Sequence, residues 1–478
     1  MTWKILIITE GSMSIGFGHI VRCCAIANEA IKRDCNVAFL ANADFEAAKL
    51  INKYDNVIMD WLKLETLVES VIDFNPDIVI IDSYLASKYH YQKVSELVSS
   101  LVIIDDNNDF RYSKGHVVNP SLYGGILNYP DHSQISYGIG HEHVILREIF
   151  NEISNRIIND DIKDILITFG GTDILNFTPN AIYTVREIFP QANIHVVTNK
   201  SKFSNIHQVY LYKNLNGEQM YNLMNKCDIA ISAAGQTIYE LIATRTPFIC
   251  IQVADNQSNN LKSLKENKLA NIIDNIEDLS QACLEMRSKE YRQQYQVEHE
   301  KYNFKGAQKI ITAGLINAIN IQKLNKTDIE DVYHLSNDEA VRKWSINQEP
   351  ILYENHIEWF YNILNDENVL FYSFKRKKDN VFLGQVRISC NENKGLISIS
   401  LNEQLRGKRI AKTLVNKFIN KIQNEYPNIN IIEAQIHKEN IPSLKLFNSL
   451  GFSLKEEGNP FNRYQLILKN GRIKNENR

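Results

Sequence analysis

The chain has no C-x-x-C pair, no excess of either charge and no long apolar run, and each absence removes a class of protein. Its seven cysteines (Cys23, Cys24, Cys35, Cys227, Cys250, Cys283 and Cys390) are odd in number and irregularly spaced. That pattern fits reduced thiols in a cytosol rather than a disulfide framework or a zinc site. Fifty-three basic against 56 acidic side chains leave a net charge of −3, so no global field points to nucleic acid. The basic run Lys375–Lys378 reads as a solvated strand end. No stretch reaches the ~18 uncharged apolar residues of a membrane span. The first apolar run, Ile5–Ile8, is followed almost at once by Glu10, which suits a strand and is too short for a signal peptide. The expectation is a soluble, cytoplasmic chain with no membrane or nucleic-acid partner. Short-period repeats and low-complexity tracts are also missing.

What is present is material for several cores. The 478 residues are 44% hydrophobic and 10% aromatic, and at about 150 residues per domain they predict two to four domains. Short continuous apolar runs at 4–9, 36–41, 77–82 and 101–105 alternate with helical stretches such as 19–33, where Ile20, Cys24, Ala27 and Ile31 mark an apolar face. This is the alternation of a doubly wound parallel sheet. The rhythm restarts at 164–171, 193–199, 228–235 and 247–253, after a crossing over 147–161. Two such halves predict a ligand in the cleft at the carboxyl ends of their strands. Beyond a charged, helical linker at 288–325 the pattern changes to strands at 369–376, 381–389, 395–401 and 431–437 with a helix from 409, an α+β domain. The predicted boundaries are 1–152, 153–320 and 321–478.

After the first strand, Gly11, Gly16 and Gly18 lead into a helix whose start carries His19, with Arg22 one turn on. Glycines permit tight turns, and a helix start offers free N–H groups to an anion. A histidine there has a pKa suited to general-base work near neutrality; on these residues alone a helix-capping or structural histidine is the commoner reading. Acids end the strands in IIDSY (80–84) and IIDD (103–106), TFGGTD (168–173) contains the turn Gly170-Gly171, and SAAGQTIYE (232–240) opens another helix. Either turn could cradle a diphosphate, with Glu240 placed for ribose hydroxyls. Strand-end acids also cap helices, and glycine turns also serve packing. ADNQ (254–257) sets amides at the same cleft edge. No His, Cys, Asp and Glu cluster has metal-ligand spacing, so no metal is expected.

GFGHIVRC, IDSY, IDD, Asn119-Pro120, LREIF (146–150), TFGGTD, SAAGQTIYELIATRTPFI and ADNQ follow one another in a single order. Over about residues 1–320 the chain resembles the nucleotide-sugar hydrolases of pseudaminic acid biosynthesis, which have the two-Rossmann GT-B fold. The resemblance implies hydrolysis of UDP-2,4-diacetamido-2,4,6-trideoxy-β-L-altropyranose to UDP and free sugar. His19 matches the catalytic histidine. Tyr84 and Asn256 match residues lining the site, Glu240 and Gln257 fall where GT-B relatives hold nucleotide and substrate, and Gly18, Arg22, Gly170 and Gly171 complete the expected substrate-binding set.

In the last third, Arg406-Gly407-Lys408-Arg409-Ile410-Ala411 precedes a helix with Ile410, Leu414, Phe418 and Ile422 on one stripe. Backbone amides and basic side chains at a helix start suit a pyrophosphate, and equally a solvated basic turn. The segment resembles the Q/R-x-x-G-x-G/A turn of GNAT-superfamily N-acetyltransferases, over about 322–478. Arg406 and Ala411 match its ends, whereas Arg409 stands where glycine is usual. Asn440 and Ser443 resemble residues near the cofactor arm, and Phe447 replaces a tyrosine that serves as general acid. The resemblance implies acetyl-CoA as co-substrate, held by Arg406, Gly407, Arg409, Ala411, Asn440 and Ser443. Ser398, Ser400, Glu433 and His437 are open candidates for the base. Together the halves predict a bifunctional enzyme that acetylates a UDP-4-amino-sugar and then removes UDP. The rivals are a GT-B glycosyltransferase with an appended acyltransferase, an enzyme of a related nonulosonic acid or surface-polysaccharide pathway, and a non-catalytic sugar-nucleotide-binding module.

Overall fold

The computed structural model describes residues 2–468 apart from 153, 171–172, 199–202 and 204–205. The first sheet comprises β1 (Lys4–Gly11), β2 (Asn36–Ala43), β3 (Asp55–Ile58), β4 (Ile78–Asp82), β5 (Ser100–Ile104), β6 (Gly115–Asn119) and β7 (Ile135–Ile139). All its pairings are parallel, in the order β3-β2-β1-β4-β5-β6-β7. The second comprises β8 (Asp164–Thr168), β9 (Asn193–Val197), β10 (Val209–Tyr212), β11 (Ile229–Ala233), β12 (Phe248–Ile251) and β13 (Asn271–Ile273), also parallel, in the order β10-β9-β8-β11-β12-β13. Both are Rossmann-like. Helices cover both faces, which is why Ile5, Ile7, Ile8, Ile165, Ile167 and their neighbours run apolar without alternation. In each sheet the strand order reverses beside the first strand, between β1 and β4 and between β8 and β11. Crevices form at such switch points.

The helix Gly18–Ile31 follows β1 as expected, but its buried face differs from the predicted stripe. Ile20, Cys23, Ile26, Ala27 and Ala30 are buried, whereas Cys24 is half-buried and Ile31 is 48% exposed. The helix is packed against β1 on one side and against the helix Gly306–Asn317 on another, so its apolar surface is wider and rotated. The crossing at 147–161 begins as a single 3₁₀ turn, Glu148–Asn151.

The third sheet comprises β14 (Ile319–Lys323), β15 (Val369–Arg376), β16 (Phe382–Asn391), β17 (Lys394–Leu401), β18 (Ile431–His437), β19 (Ser453–Glu456) and β20 (Phe461–Ile467), in the order β14-β15-β16-β17-β18-β20-β19. Its one parallel pair is β17 with β18, and that pairing ends at Ile397 and Ala434. Beyond those residues both strands continue unpaired with each other, so the sheet opens into a V. The helix Ala411–Glu425 buries Leu414, Phe418 and Ile422 completely, with Ile410 buried just before it.

One residue, Ala318, separates the helix Gly306–Asn317 from β14. That helix buries Ile310, Ile311 and Leu315 in a single apolar core shared by β1, β2 and the third sheet. Trp3, fully buried, donates from its indole N–H to the Gln404 carbonyl at 3.0 Å. Arg33 binds the carbonyls of Gln308 (3.0 Å) and Lys408 (3.3 Å) and the Thr312 hydroxyl (2.8 Å). The architecture is two Rossmann-like halves of GT-B type followed by a GNAT-type α+β domain.

Candidate active sites

The first switch point gathers an ionic network. The loop after β1 folds back, with Gly16 N–H donating to the Ser12 carbonyl at 2.8 Å, and Gly16 adopts φ +86°, a left-handed conformation that favours glycine. His19 therefore stands in the first turn of its helix, directly over the end of β4. There Asp82, fully buried, accepts from His19 Nδ1 at 2.7 Å and from Arg22 Nε and Nη2 at 2.6 Å each. Arg22 also grips Asp106 with both terminal nitrogens, at 3.0 and 2.8 Å. Tyr84 donates from its hydroxyl to Asp106 at 2.7 Å and presents its ring edge-on to His19, with centroids 4.4 Å apart. Glu10, at the end of β1, accepts the backbone N–H of Tyr84 at 2.6 Å. Asn119 donates to the carbonyls of both Asp105 and Asp106 at 2.9 Å, fixing the strand end that carries Asp106.

The charges follow from this packing. Burial disfavours ionised Asp82, but the Arg22 and His19 charges outweigh it and hold the carboxyl far below the usual range. Burial likewise opposes a charged His19, and the adjoining Asp82 carboxylate outweighs it, so the imidazole pKa lies above its ordinary value. Burial raises the carboxyl of Glu10. With Nδ1–H committed to Asp82, the His19 tautomer is set and Nε2 is the nitrogen left to accept a proton.

The second switch point faces the first through two links. Tyr239, in the helix after β11, accepts from the Leu122 N–H at 3.4 Å and donates to Asn260 at 2.8 Å; Asn260 in turn donates to the Ala234 carbonyl at 2.8 Å. Glu240 is paired side-on with Arg147, both Nε and Nη2 donating at 2.9 Å. Gly170 has φ +80° with open space around it; Gly171 lies outside the described residues. Gly18 and Asn256 are exposed, while Gln257 turns back to accept the Val253 N–H at 3.0 Å and borders the Gly235 turn. Sequence reading noted the acids at 82 and 106 but left them out of the site. The signal was there: in a 3-2-1-4 order the ends of β1 and β4 are neighbours, so an acid ending β4 meets the helix that follows β1.

In the third module, Gly407 (φ +78°) and Arg409 (φ +57°) both adopt left-handed backbone. Arg409 thus keeps the conformation for which glycine is suited, at a cost in strain. The helix Ala411–Glu425 starts without a side-chain cap, so its first N–H groups remain for an anion. Arg406 donates to the Leu401 carbonyl at 2.7 Å and to Asp338 at 2.8 Å, which braces the turn. Asn440 caps the helix Ile441–Ser449 by accepting the Ser443 N–H at 3.2 Å. Phe447 is buried edge-on against Phe452. Of the candidate bases, Glu433 is ion-paired with Lys455 at 2.5 Å, and His437 packs between Trp344 and Phe461. Ser398 and Ser400 face a cavity beside the V. Among the described residues no group of three or more His, Cys, Asp and Glu is placed to hold a metal ion, and no helix is long and apolar enough to cross a membrane.

Residues 165–312 match the glycosyltransferase family 28 C-terminal domain, and residues 319–453 match the acetyltransferase (GNAT) domain. The chain joins a domain of the first kind to one of the second. Among individual proteins, it is 24% identical to the uncharacterized protein MJ1062 of Methanocaldococcus jannaschii, over 95% of this chain and 98% of that one. It is 27% identical to the pseudaminic acid cytidylyltransferase and UDP-2,4-diacetamido-2,4,6-trideoxy-beta-L-altropyranose hydrolase of Helicobacter pylori, over 58% of this chain and 50% of that protein. The spore coat polysaccharide biosynthesis protein SpsG of Bacillus subtilis is 21% identical over 54% of this chain and 80% of its own length. These matches support an enzyme of sugar-nucleotide modification with an acetyltransferase module.

Proposed function

We propose that the chain is a bifunctional nucleotide-sugar enzyme with functional modules at 1–152, 153–320 and 321–478. The first two together hydrolyse UDP-2,4-diacetamido-2,4,6-trideoxy-β-L-altropyranose to UDP and free sugar. The third transfers acetyl from acetyl-CoA to the amine of the UDP-4-amino-sugar precursor, both as steps of pseudaminic acid biosynthesis. The observation that carries the hydrolase reading is His19, with Nδ1 held by a buried aspartate 2.7 Å away at the switch point of the first sheet.

In this mechanism His19 Nε2 takes a proton from water as the oxygen attacks the anomeric carbon. The glycosyl–phosphate bond breaks and its electron pair leaves with UDP. Asp82 steadies the imidazolium that forms, a division of labour worth about 10²–10⁴-fold in comparable acid–base sites. Gly170, the turn before Thr237, Asn256 and Gln257 hold the nucleotide, with backbone N–H groups opposing the charge that develops on the leaving phosphate. Glu240, braced by Arg147, is placed to accept ribose hydroxyls. In the third module, acetyl-CoA supplies the activated acyl group; the Arg406–Ala411 turn holds its pyrophosphate, and Asn440 and Ser443 flank its arm.

The test is mass spectrometry of the protein with the UDP-4-amino-sugar, with and without acetyl-CoA. UDP plus free diacetamido sugar, formed only with acetyl-CoA, supports both activities. An acetylated nucleotide sugar that persists intact refutes the hydrolase assignment. The match to a glycosyltransferase domain favours one second reading, transfer of the sugar to an acceptor other than water.

A further inference from the structure

Beside the V of the third sheet lies a cavity of about 380 Å³. Its floor is formed by β15, β16 and β17 through Phe371, Gln385, Arg387, Ser398 and Ser400, and its roof by the helices Ile329–Ser336 and Tyr353–Leu364 with the segment between them. Among the described residues no carboxylate lines it. It does contain two guanidinium groups, those of Arg342 and Arg387, and neither has a hydrogen-bond or ion-pair partner among the described residues. Arg342 Nε and Gln385 Oε1 are buried without partners. Arg387 lies over Trp359, 5.7 Å from its ring, and Trp359 keeps 36% of its surface exposed.

Arg342 and Arg387 are half-buried, and a partly desolvated cation without a partner is stabilised by meeting an anion. Arg22, by contrast, holds two carboxylates and Arg33 holds Glu29. Two guanidinium forks without a carboxylate between them match the oxygens of a diphosphate, and an exposed indole face can stack a base. A cationic acceptor such as a polyamine would be repelled by the same lining. The cavity is also placed for acetyl transfer. Ser398 and Ser400 belong to the part of β17 that has parted from β18, and Asp338, which caps the helix bearing Arg342, accepts a hydrogen bond from Arg406 of the acetyl-CoA turn.

We infer that this cavity is a second nucleotide-binding site, taking a nucleoside diphosphate sugar with its phosphates on Arg342 and Arg387 and its base on Trp359. The inference rests on the reading of the third module as an acetyltransferase acting on a nucleotide-linked amine. It fixes the order of the two steps: a free amino sugar offers no anion to the arginines, so acetylation precedes loss of the nucleotide.

The test is calorimetric titration of the full chain with UDP, comparing wild type with Arg342→Gln/Arg387→Gln. The double variant is expected to bind one fewer UDP per chain, or to bind at one site at least tenfold more weakly, with acetyl-CoA binding unchanged as the sign of an intact fold. The single variant Arg387→Lys, which keeps the charge and loses the fork, is expected to raise the KM for the nucleotide sugar in acetylation with kcat unchanged. UDP stoichiometry and affinity unchanged in the double variant overturn the inference. Its failure is separable from failure of the acetyltransferase reading, because acetyl-CoA binding is followed in the same titrations and does not depend on the two arginines.

Discussion

The Asp82 carboxylate binds His19 and Arg22 at once, with Oδ1 2.7 Å from His19 Nδ1 and 2.6 Å from Arg22 Nη2. One buried charge thereby orients the base and anchors the cation that holds Asp106, which in turn holds the Tyr84 hydroxyl. A disturbance anywhere along this chain of contacts arrives at the imidazole.

His19→Ala removes the proton acceptor while leaving the third module untouched. UDP release from the diacetamido nucleotide sugar should fall by about 10²–10⁴-fold, with acetylation at wild-type rate, as read by mass spectrometry of both products. Loss of both activities, or of neither, contradicts the assignment.

Asp82→Asn keeps the shape of the site and removes the charge. In the wild type the His19 pKa is raised, so the hydrolytic rate should climb as pH rises through a value above the ordinary imidazole range, where Nε2 becomes free to act as a base. Without the carboxylate, burial dominates and the pKa falls, so the acidic limb of the profile should move to lower pH while the plateau drops. In stability the signs are opposite for the two partners. The His19 contribution is complete at low pH and disappears as pH rises through its folded pKa, whereas that of Asp82 is complete at neutral pH and disappears only in strong acid. A pH–rate profile of the two proteins checks the shift.

Arg22→Ala leaves Asp82 and Asp106 as neighbouring buried carboxylates. Removing one partner of a buried ionic group costs about 3–5 kcal/mol, so the midpoint of urea denaturation should fall sharply. Arg22→Lys restores one charge without the fork and should recover only part of the loss.

Phe447→Tyr tests whether the residue that replaces the expected tyrosine can be repaired by substitution. The ring is buried against Phe452, so the new hydroxyl enters an apolar contact and should cost about 1–3 kcal/mol. No gain in acetylation rate is expected. A faster enzyme would mean that the hydroxyl reaches the reacting amine.

Much of this architecture was readable because strands buried on both faces leave continuous apolar runs. β15 and β18 occur at the predicted residues, and β1, β2, β4, β5, β8, β9, β11 and β12 lie within predicted runs or within two residues of them. Of the strands that escaped, β3, β10 and β13 are three or four residues long and β19 is exposed throughout, while β6 and β20, inside their sheets, lack a long continuous apolar run. The positions of His19 and Arg22 were legible from the glycine turn, since local geometry fixes the start of a helix. Their partners were not, because Asp82 and Asp106 lie 63 and 84 residues away from them in sequence, and only the crossover order brings them together. The cavity holding Arg342 and Arg387 was invisible for the same reason: its walls come from six separate elements.

The single residue between the helix Gly306–Asn317 and β14, and the core shared across that junction, deny the acetyltransferase any swinging motion. Trp3 and Arg33 clamp it to the first half at fixed orientation. In the proposed sequence of reactions, the acetylated intermediate therefore passes between two mouths whose separation stays the same. Fusion serves here to keep the two mouths in constant ratio and at constant distance, so that the time an intermediate spends exposed to competing enzymes is set by geometry alone.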